Sequence, residues 1–311
     1  MPQQFDAPWK IALEIFLEPF LALCFPKVHA LIDWRFAPVF LETELQQIAP
    51  REQQGVRAVD KLVKVRLLTG TEEWLFIHIE IQAQADRDFP ARMWVYFCGI
   101  FHKFQQRVIS LAVLADDRPN WRPSSYQAEL GGCSLHFEFP TFKVIDLEDA
   151  TGVFERTDNP FALLVAAHQV ALATKGDTSR RYAQRFGLVR RLYRGGMERR
   201  QLVDLFRLIE ALTRLPEELE LRFRQELATF ERTEAMMTTE SIPSFIEVKA
   251  KEAGRAESLE QAILDALEAR FGAVPEEIRS KLRGLTDPER LRQAHRVAIT
   301  TRGLQQFLAE V

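Results

Sequence analysis

Residues 74–84, WLFIHIEIQAQ, decide how the first half of this chain folds, because they give a central β-strand a row of polar side chains. Side chains on a strand alternate between two faces. The odd-numbered positions are apolar and predict a face directed into a core, whereas His78, Glu80, Gln82 and Gln84 share the other face. A buried carboxylate without a partner is costly. Glu80 therefore requires a salt bridge, exposure at a sheet edge, or a metal ion.

The residues around this strand predict a mixed set of helices and strands. Residues 59–68 are also typical of a strand, and the turn-rich TGTEE that separates them from residues 74–82 predicts an antiparallel hairpin. Helical spacing is found in 8–23, 36–48 and 88–106, the last with Asp88 as its N-cap and Pro90 in its first turn. Further strands are predicted at 107–116, 134–139 and 142–147, and the first is apolar enough to be buried on both faces.

The second half of the chain has a helical pattern throughout. From Asn159 onward, Gly and Pro punctuate predicted helices at 160–173, 178–194, 198–212, 216–235, 257–271, 275–284 and 287–309. The order of elements predicts an α/β core followed by an all-helical region. We divide the chain into a core (1–150), a helical extension packed on it (151–237), a linker (238–257) and a small helical module (258–311).

Composition indicates an ordinary soluble protein. The chain has 311 residues, 47% of them hydrophobic, and a formal net charge of −3, so a nucleic-acid partner requires a local basic patch. The three cysteines lie far apart, which argues against a structural zinc site or a disulfide framework and fits a reducing cytosol. We expect neither a signal peptide nor a membrane span, and we expect a cytoplasmic location. Motifs of zincins, P-loop motors and Rossmann enzymes are absent from the sequence.

A second carboxylate belongs to the predicted hairpin. Asp60 begins the strand that precedes residues 74–82, so its side chain and that of Glu80 can converge at one end of the sheet. Two close carboxylates repel each other unless a cation lies between them. Mg²⁺ binds through one or two carboxylates together with waters and substrate phosphates. The pair therefore indicates a divalent metal site, with solvated surface carboxylates as the alternative.

These motifs resemble those of the Rpn family of recombination-promoting nucleases, also described as transposases, within the PD-(D/E)XK superfamily. The likeness spans roughly residues 5–150 and rests on Asp60, on the H-x-E-x-Q run His78–Gln82, on Asp86 or Asp88, and on Arg92-Met93 followed by Tyr96. The last helical segments are similar to a small domain of unknown function often found at the C-terminus of such proteins.

The resemblance implies a restriction-endonuclease-like mixed sheet flanked by helices, and a Mg²⁺- or Mn²⁺-dependent endonuclease with little sequence preference. It implies that Asp60, Glu80 and the backbone carbonyl of Ile81 hold the ion, and that Gln82 orients the attacking water. Gln82 occupies the position where the wider superfamily usually has lysine, and a neutral amide supplies no positive charge. Lys64 is a candidate substitute, because alternation puts it on the face of Asp60.

Other residues are candidates for supporting roles. The N-terminal helices of this superfamily often add an acidic ligand; the candidates are Glu14, Glu42 and Glu44, of which Glu44 lies closest to the hairpin. Arg92 and Tyr96 are four residues apart and share a helix face, where they either contact the substrate phosphate or serve structure.

An arginine-rich segment at 178–201 contains eight arginines and one acid. It indicates a DNA-binding surface formed by Arg180, Arg181, Arg185, Arg190, Arg191 and Arg194. The alternative is a helix whose arginines face water or pair with the acidic stretch 217–234.

The sequence therefore supports two functions. The first is hydrolysis of DNA by a metal-dependent nuclease connected with recombination, mobile elements or defence, with the C-terminal helices as an oligomerisation module. The second is a nuclease-like protein that has lost catalysis and acts as an interaction or scaffold protein.

Overall fold

The computed structural model describes residues 5–41, 61–68, 73–194, 197–237, 245–283, 285, 288–301 and 303–310. Its first half contains a five-stranded sheet. The strands are β1 (Val39–Phe40), β2 (Lys61–Arg66), β3 (Trp74–Gln82), β4 (Arg107–Leu114), β5 (Ser125–Leu130), β6 (Cys133–Glu138) and β7 (Thr141–Lys143). The sheet order is β1-β2-β3-β4-β7, while β5 and β6 form a separate antiparallel pair.

The other regular elements of the described residues are mainly helices. They are α1 (Asp6–Ile15), α2 (Leu17–Cys24), α3 (Pro26–His29), α4 (Phe89–Phe104), α5 (Ala150–Thr157), α6 (Pro160–Ala173), α7 (Thr178–Arg194), α8 (Arg199–Leu212), α9 (Glu217–Met237), α10 (Phe245–Phe271), α11 (Glu276–Arg283), α12 (Pro288–Thr300) and α13 (Leu304–Glu310). The elements form two compact units, Met1–Phe223 and Arg224–Val311. The α/β class is confirmed, and every described element from Ala150 onward is a helix.

Strand pairing fixes which side chains meet on the sheet. β2 and β3 are antiparallel, with Lys61 opposite Ile79 and Arg66 opposite Trp74, so the predicted hairpin is confirmed. β3 pairs in parallel with β4, and β4 pairs in parallel with β7. β3 is buried on both faces along nearly its whole length, which explains its Ile-rich composition.

The even-numbered face of β3 lies under α4. Two clusters of apolar side chains hold this helix on the sheet: Phe89, Met93, Ala112 and Leu114 near its first turns, and Ile100, Leu62 and Phe76 near its last turns. Asp88 does precede α4, as predicted, but its side chain makes no capping hydrogen bond.

The opposite face of the sheet carries the N-terminal helices. Lys61, which shares the face of Ile79, is buried and ion-paired with Glu14 of α1. Next to these helices, His168 of α6 is fully buried: its Nδ1 accepts from Trp9 Nε1 at 3.1 Å, and its Nε2 donates to the Ala115 carbonyl at 2.8 Å. Burial lowers the pKa of His168 to about 4, although the bond to Ala115 acts in the other direction.

Asn159 joins α6 to α2. Its side-chain oxygen accepts from the Phe161 amide at 2.9 Å and caps α6, while its Nδ2 donates to the Pro19 carbonyl at 2.9 Å. The predicted bounds of α6 and α7 agree with the structure.

The pair β5–β6 is a hairpin closed by two glycines. Gly131 and Gly132 have φ angles of 59° and 83°, a conformation that glycine adopts without strain. Leu130 at this turn is 86% exposed, while Phe137 packs near α4.

The unit Arg224–Val311 has its own apolar core. Ile263 and Leu267 of α10, Ile278 of α11, Ala298 of α12 and Phe307 of α13 are buried together. Arg270 donates to the carbonyls of Ala298 and Thr301, both at 2.6 Å, and so satisfies the end of α12.

Several predicted elements are corrected by the structure. The helix predicted at 8–23 is two helices that meet at Phe16, which puts Pro19 in the first turn of α2, where its missing N–H costs nothing. A helix is also predicted at 36–48, but residues 39–40 form strand β1. Pro38 disfavours a helix there, and Val39 pairs with Lys64. Residues 42–48 lie outside the described part.

Corrections also apply in the C-terminal half. Residues 245–257, assigned to a linker, belong to α10, since they are rich in Ala, Glu and Lys. The helix predicted at 287–309 is α12 and α13, with Gly303 between them. Residues 144–146 of the strand predicted at 142–147 form a 3₁₀ turn. In the ranges that the structure describes, no helix has the length and apolarity needed to span a bilayer.

Candidate functional site

The candidate site lies between β3 and α4, on the even-numbered face of the strand. Alternation along β3 places His78, Glu80 and Gln82 on this face, and the first turns of α4 carry Arg92 and Tyr96 toward it. His78 is fully buried, Glu80 is 6% exposed and Arg92 is 7% exposed. The structure thus brings together five of the residues that the sequence singled out.

Glu80 is incompletely satisfied in this site. Its Oε1 lies 3.4 Å from Arg92 Nε, and its Oε2 lies 3.6 Å from His78 Nε2. Glu80 Oε2 and His78 Nε2 are both buried, and neither has a hydrogen-bond partner among the residues that the structure describes. Two buried polar atoms that face each other without a hydrogen bond form a candidate binding position for an ion or a water.

Arg92 is the centre of the polar network. Its Nη1 donates to Asp86 Oδ2 and its Nη2 to Gln82 Oε1, both at 2.7 Å. Burial by itself lowers the pKa of the guanidinium, but the hydrogen bond to Asp86 and the charge of Glu80 outweigh it, so its pKa lies above the ordinary value. Arg92 is therefore a permanently charged cation held against β3.

His78 is oriented by β4. Its Nδ1 lies 3.3 Å from Ser110 Oγ, which directs Nε2 toward Glu80. The rings of His78 and Tyr96 meet edge to face with centroids 5.3 Å apart. Tyr96 is buried, so in this structure it packs against the imidazole.

The other expected ligands are only partly described. Asp60 and Glu44 lie outside the described residues, as does Glu42. Asp60 immediately precedes Lys61, which pairs with Ile79, the residue before Glu80. Ile81 is buried in β3 beside Glu80. Over the described ranges, no cluster of three or more His, Cys, Asp or Glu residues suited to a metal is found.

Two further candidates lie away from Glu80. Glu14 is paired with Lys61 on the opposite face of the sheet. Lys64 is opposite Phe76, four positions along β3 from Glu80, and its Nζ lies 4.1 Å from the centre of the Trp74 ring. Four residues of strand span about 13 Å. The structure does not bring Lys64 to the site.

The arginines of α7 do not form one surface. Arg185 is fully buried, with Nη1 at 2.6 Å from Glu220 and Nη2 at 3.2 Å from Glu210. Arg181 is also buried and donates to Thr174 and to the Arg214 carbonyl. These two residues therefore do not belong to an exposed surface, contrary to the prediction, because their guanidinium groups are buried and bound to other residues of the fold. Arg185 follows the alternative of pairing with the 217–234 stretch.

The remaining arginines of this group differ in exposure. Arg180 and Arg190 are exposed, and the Arg190 guanidinium stacks on Phe186 at 4.9 Å. Arg191 is half-buried and ion-paired with Glu155 at 2.9 Å. The side chain of Arg194 lies outside the described part.

Sequence reasoning missed one member of the site and left another undecided. Ser110, which orients His78, is the single polar residue inside the apolar run VISLAVL of β4, and that exception was the available signal. Of the two acids after β3, Asp86 binds Arg92; Asp88 contributes its backbone N–H, which donates to Asp86 Oδ1 at 3.0 Å.

No protein-family model, no curated protein and no solved structure matches this chain.

Proposed function

We propose that this protein is a metal-dependent nuclease that hydrolyses phosphodiester bonds in DNA, built on a restriction-endonuclease-like core. The observation that carries the proposal is the Glu80 carboxylate, which is buried at the carboxyl end of β3 and whose Oε2 makes no hydrogen bond to the described residues. A buried carboxylate is costly without compensation, and a divalent cation at Oε2 offsets that cost.

The described residues supply part of the ligand set that a hard cation requires. Glu80 supplies one carboxylate oxygen, and Asp60, the Ile81 carbonyl and Glu44 are the further ligands that we propose. The charges of Glu80, Asp86 and Arg92 leave the described cluster one negative charge in excess when His78 is neutral, which favours a cation. Mg²⁺ or Mn²⁺, when bound, supplies a Lewis acid for attack on phosphorus.

The neighbouring side chains have roles around that reaction. Gln82 orients the attacking water or a metal-bound water through its amide, as the family resemblance implies. Arg92 and Tyr96 face the same side of α4 and support the substrate phosphate, with Arg92 as the charged partner. Arg180 and Arg190 are exposed, whereas Arg181 and Arg185 are buried, so Arg180 and Arg190 are the candidates that we propose for contact with the DNA backbone.

The proposal is tested by nicking of supercoiled plasmid in Mg²⁺, Mn²⁺ and EDTA. We compare the wild type with Glu80→Gln and Asp60→Asn, and use Glu129→Gln, on the exposed hairpin β5–β6, as a matched control. We expect metal-dependent nicking that Glu80→Gln and Asp60→Asn each reduce by at least about 100-fold, while the control keeps the wild-type rate.

Equal nicking by all four proteins would identify a contaminant and reject the site. Thermal unfolding of each variant accompanies the assay, so that loss of fold is distinguished from loss of chemistry.

The second candidate is a nuclease-like scaffold without catalysis. The observation in its favour is Arg92, which contacts both Glu80 and Asp86 and so offsets one of their two negative charges without a metal ion. Absence of nicking in every condition, together with absence of Mn²⁺ binding in solution, would support this function over the nuclease.

A further inference from the structure

We infer that Arg92, reaching across from α4, supplies the fixed positive charge of the reaction site, and that Gln82 serves to hold its guanidinium in place. This inference rests on the proposed function and revises the role of Gln82 within it. Charge that develops on a reacting phosphate requires a cation fixed in advance close to it.

The arrangement of cations around β3 supports this assignment. Lys61 points to the other face of the sheet, and Lys64 is turned onto Trp74 at a distance along the strand. Among the described residues, the one Arg or Lys whose cation contacts Glu80 is Arg92. The neutral amide of Gln82 cannot replace it.

The hydrogen bonds of Arg92 explain how its charge stays in position. Gln82 Oε1 accepts from Nη2 and Asp86 accepts from Nη1, so the planar guanidinium is fixed at two points, with Nε directed at Glu80. The amide of Gln82 is itself oriented, because its Nε2 donates to the Gln84 carbonyl at 2.7 Å. Each described hydrogen bond of the Gln82 side chain thus serves the placement of Arg92.

The two nitrogens Nη1 and Nη2 each carry a second N–H group. A guanidinium has five donors, of which two are used by Asp86 and Gln82 and one points toward Glu80. The remaining two, one on Nη1 and one on Nη2, make no hydrogen bond to the described residues, and each can donate to a phosphate oxygen. Arg92 is in this assignment a catalytic residue, and Gln82 and Asp86 are its positioning residues.

The test removes the cation of α4 and introduces one on β3. Arg92→Gln removes the cation, Gln82→Met removes its support, and the double variant Arg92→Gln/Gln82→Lys returns a cation from β3. We expect Arg92→Gln to slow nicking by about 100- to 1000-fold. We expect the double variant to nick at least about tenfold faster than Arg92→Gln. We expect Gln82→Met to slow the wild type but to have no further effect in the Arg92→Gln background.

Metal binding without DNA supplies a readout that does not depend on activity. Removing a positive charge 3.4 Å from Glu80 favours a divalent cation there, so Mn²⁺ titration of Arg92→Gln should show about tenfold tighter binding, whereas Glu80→Gln should lose it. Slower cleavage with tighter metal binding is a combination that general loss of structure does not produce.

Two results would overturn the inference: Arg92→Gln nicking at the wild-type rate, or a folded double variant no faster than Arg92→Gln. Arg92→Lys, which keeps the charge, is the second variant if Arg92→Gln fails to fold, and it must then retain metal-dependent nicking. Unchanged nicking by Glu80→Gln would instead reject the proposed function itself.

Discussion

At the scale of single residues, His168 shows how burial fixes a protonation state. Its Nδ1 accepts from Trp9 and its Nε2 donates to Ala115, so the folded protein requires the neutral imidazole. The ordinary pKa of 6.5 falls to about 4 on burial. Between these values the unfolded chain binds one more proton than the folded protein does, so stability is lost as the pH falls.

We predict that the wild type loses stability by about 1.4 kcal/mol per pH unit between pH 6.5 and 4 through this residue, or roughly 3 kcal/mol in total. His168→Gln should have a correspondingly flatter profile, and exposed His102→Gln should follow the wild type. The measurement is urea unfolding followed by tryptophan fluorescence across this pH range. Parallel profiles for His168→Gln and the wild type would contradict the prediction.

A second prediction at this scale concerns Arg185. We expect Arg185→Met to lower the free energy of unfolding by about 3–5 kcal/mol, because it leaves Glu210 and Glu220 without their buried cation. Exposed Arg180→Met should change it by less than about 0.5 kcal/mol. Urea unfolding measures both. A small effect of Arg185→Met would mean that the two carboxylates find other partners.

The sequence predicts part of the candidate site at this scale. Alternation places Glu80 and Gln82 together, and a spacing of four places Arg92 and Tyr96 together, because both rules depend on local geometry. The bond between Arg92 and Gln82 depends on how α4 lies on β3. That placement is set by apolar packing around Phe89 and Ile100, which no local pattern encodes.

At the scale of elements, local signals account for the predictions that succeeded. The bounds of β3, α6 and α7 follow from strong periodicity and from turn residues at their ends. β5 was missed because its sequence SYQAEL is largely exposed and lacks an apolar face, and α5 was missed because it is short and contains Gly152. β1 depends on pairing with β2, a contact that its own two residues do not reveal.

One prediction belongs to the junction of α2 and α6. Asn159→Ala removes both the cap of α6 and the bond to Pro19, so we expect a loss of about 1–3 kcal/mol. Asn159→Asp keeps the capping oxygen but has no donor for Pro19, and should lose less. Urea unfolding by fluorescence gives the two values. Equal losses would show that the cap contributes nothing.

At the scale of the whole molecule, the two units contain different spectroscopic probes. All five tryptophans and all four tyrosines lie before residue 224, so fluorescence reports on the unit Met1–Phe223, whereas far-UV circular dichroism reports on both. Each unit has its own buried apolar core, which is the condition for separate cooperative unfolding.

We predict that Leu267→Ala, in the second unit, costs about 2–5 kcal/mol there and shifts the dichroism transition while the fluorescence transition stays in place. Leu205→Ala, a buried leucine of α8, should shift the fluorescence transition. Coincident shifts in both signals for both variants would show that the chain unfolds as one cooperative body.

The burial of Glu80 also affects how quickly a solute reaches it. Because only 6% of the residue is accessible and the Arg92–Asp86 pair lies beside it, we expect a dissolved metal ion to reach the carboxylate only when that pair opens briefly. The observed rate of metal binding should then level off as the metal concentration rises. At high concentration the opening of the ion pair, rather than diffusion of the metal, is the slow step.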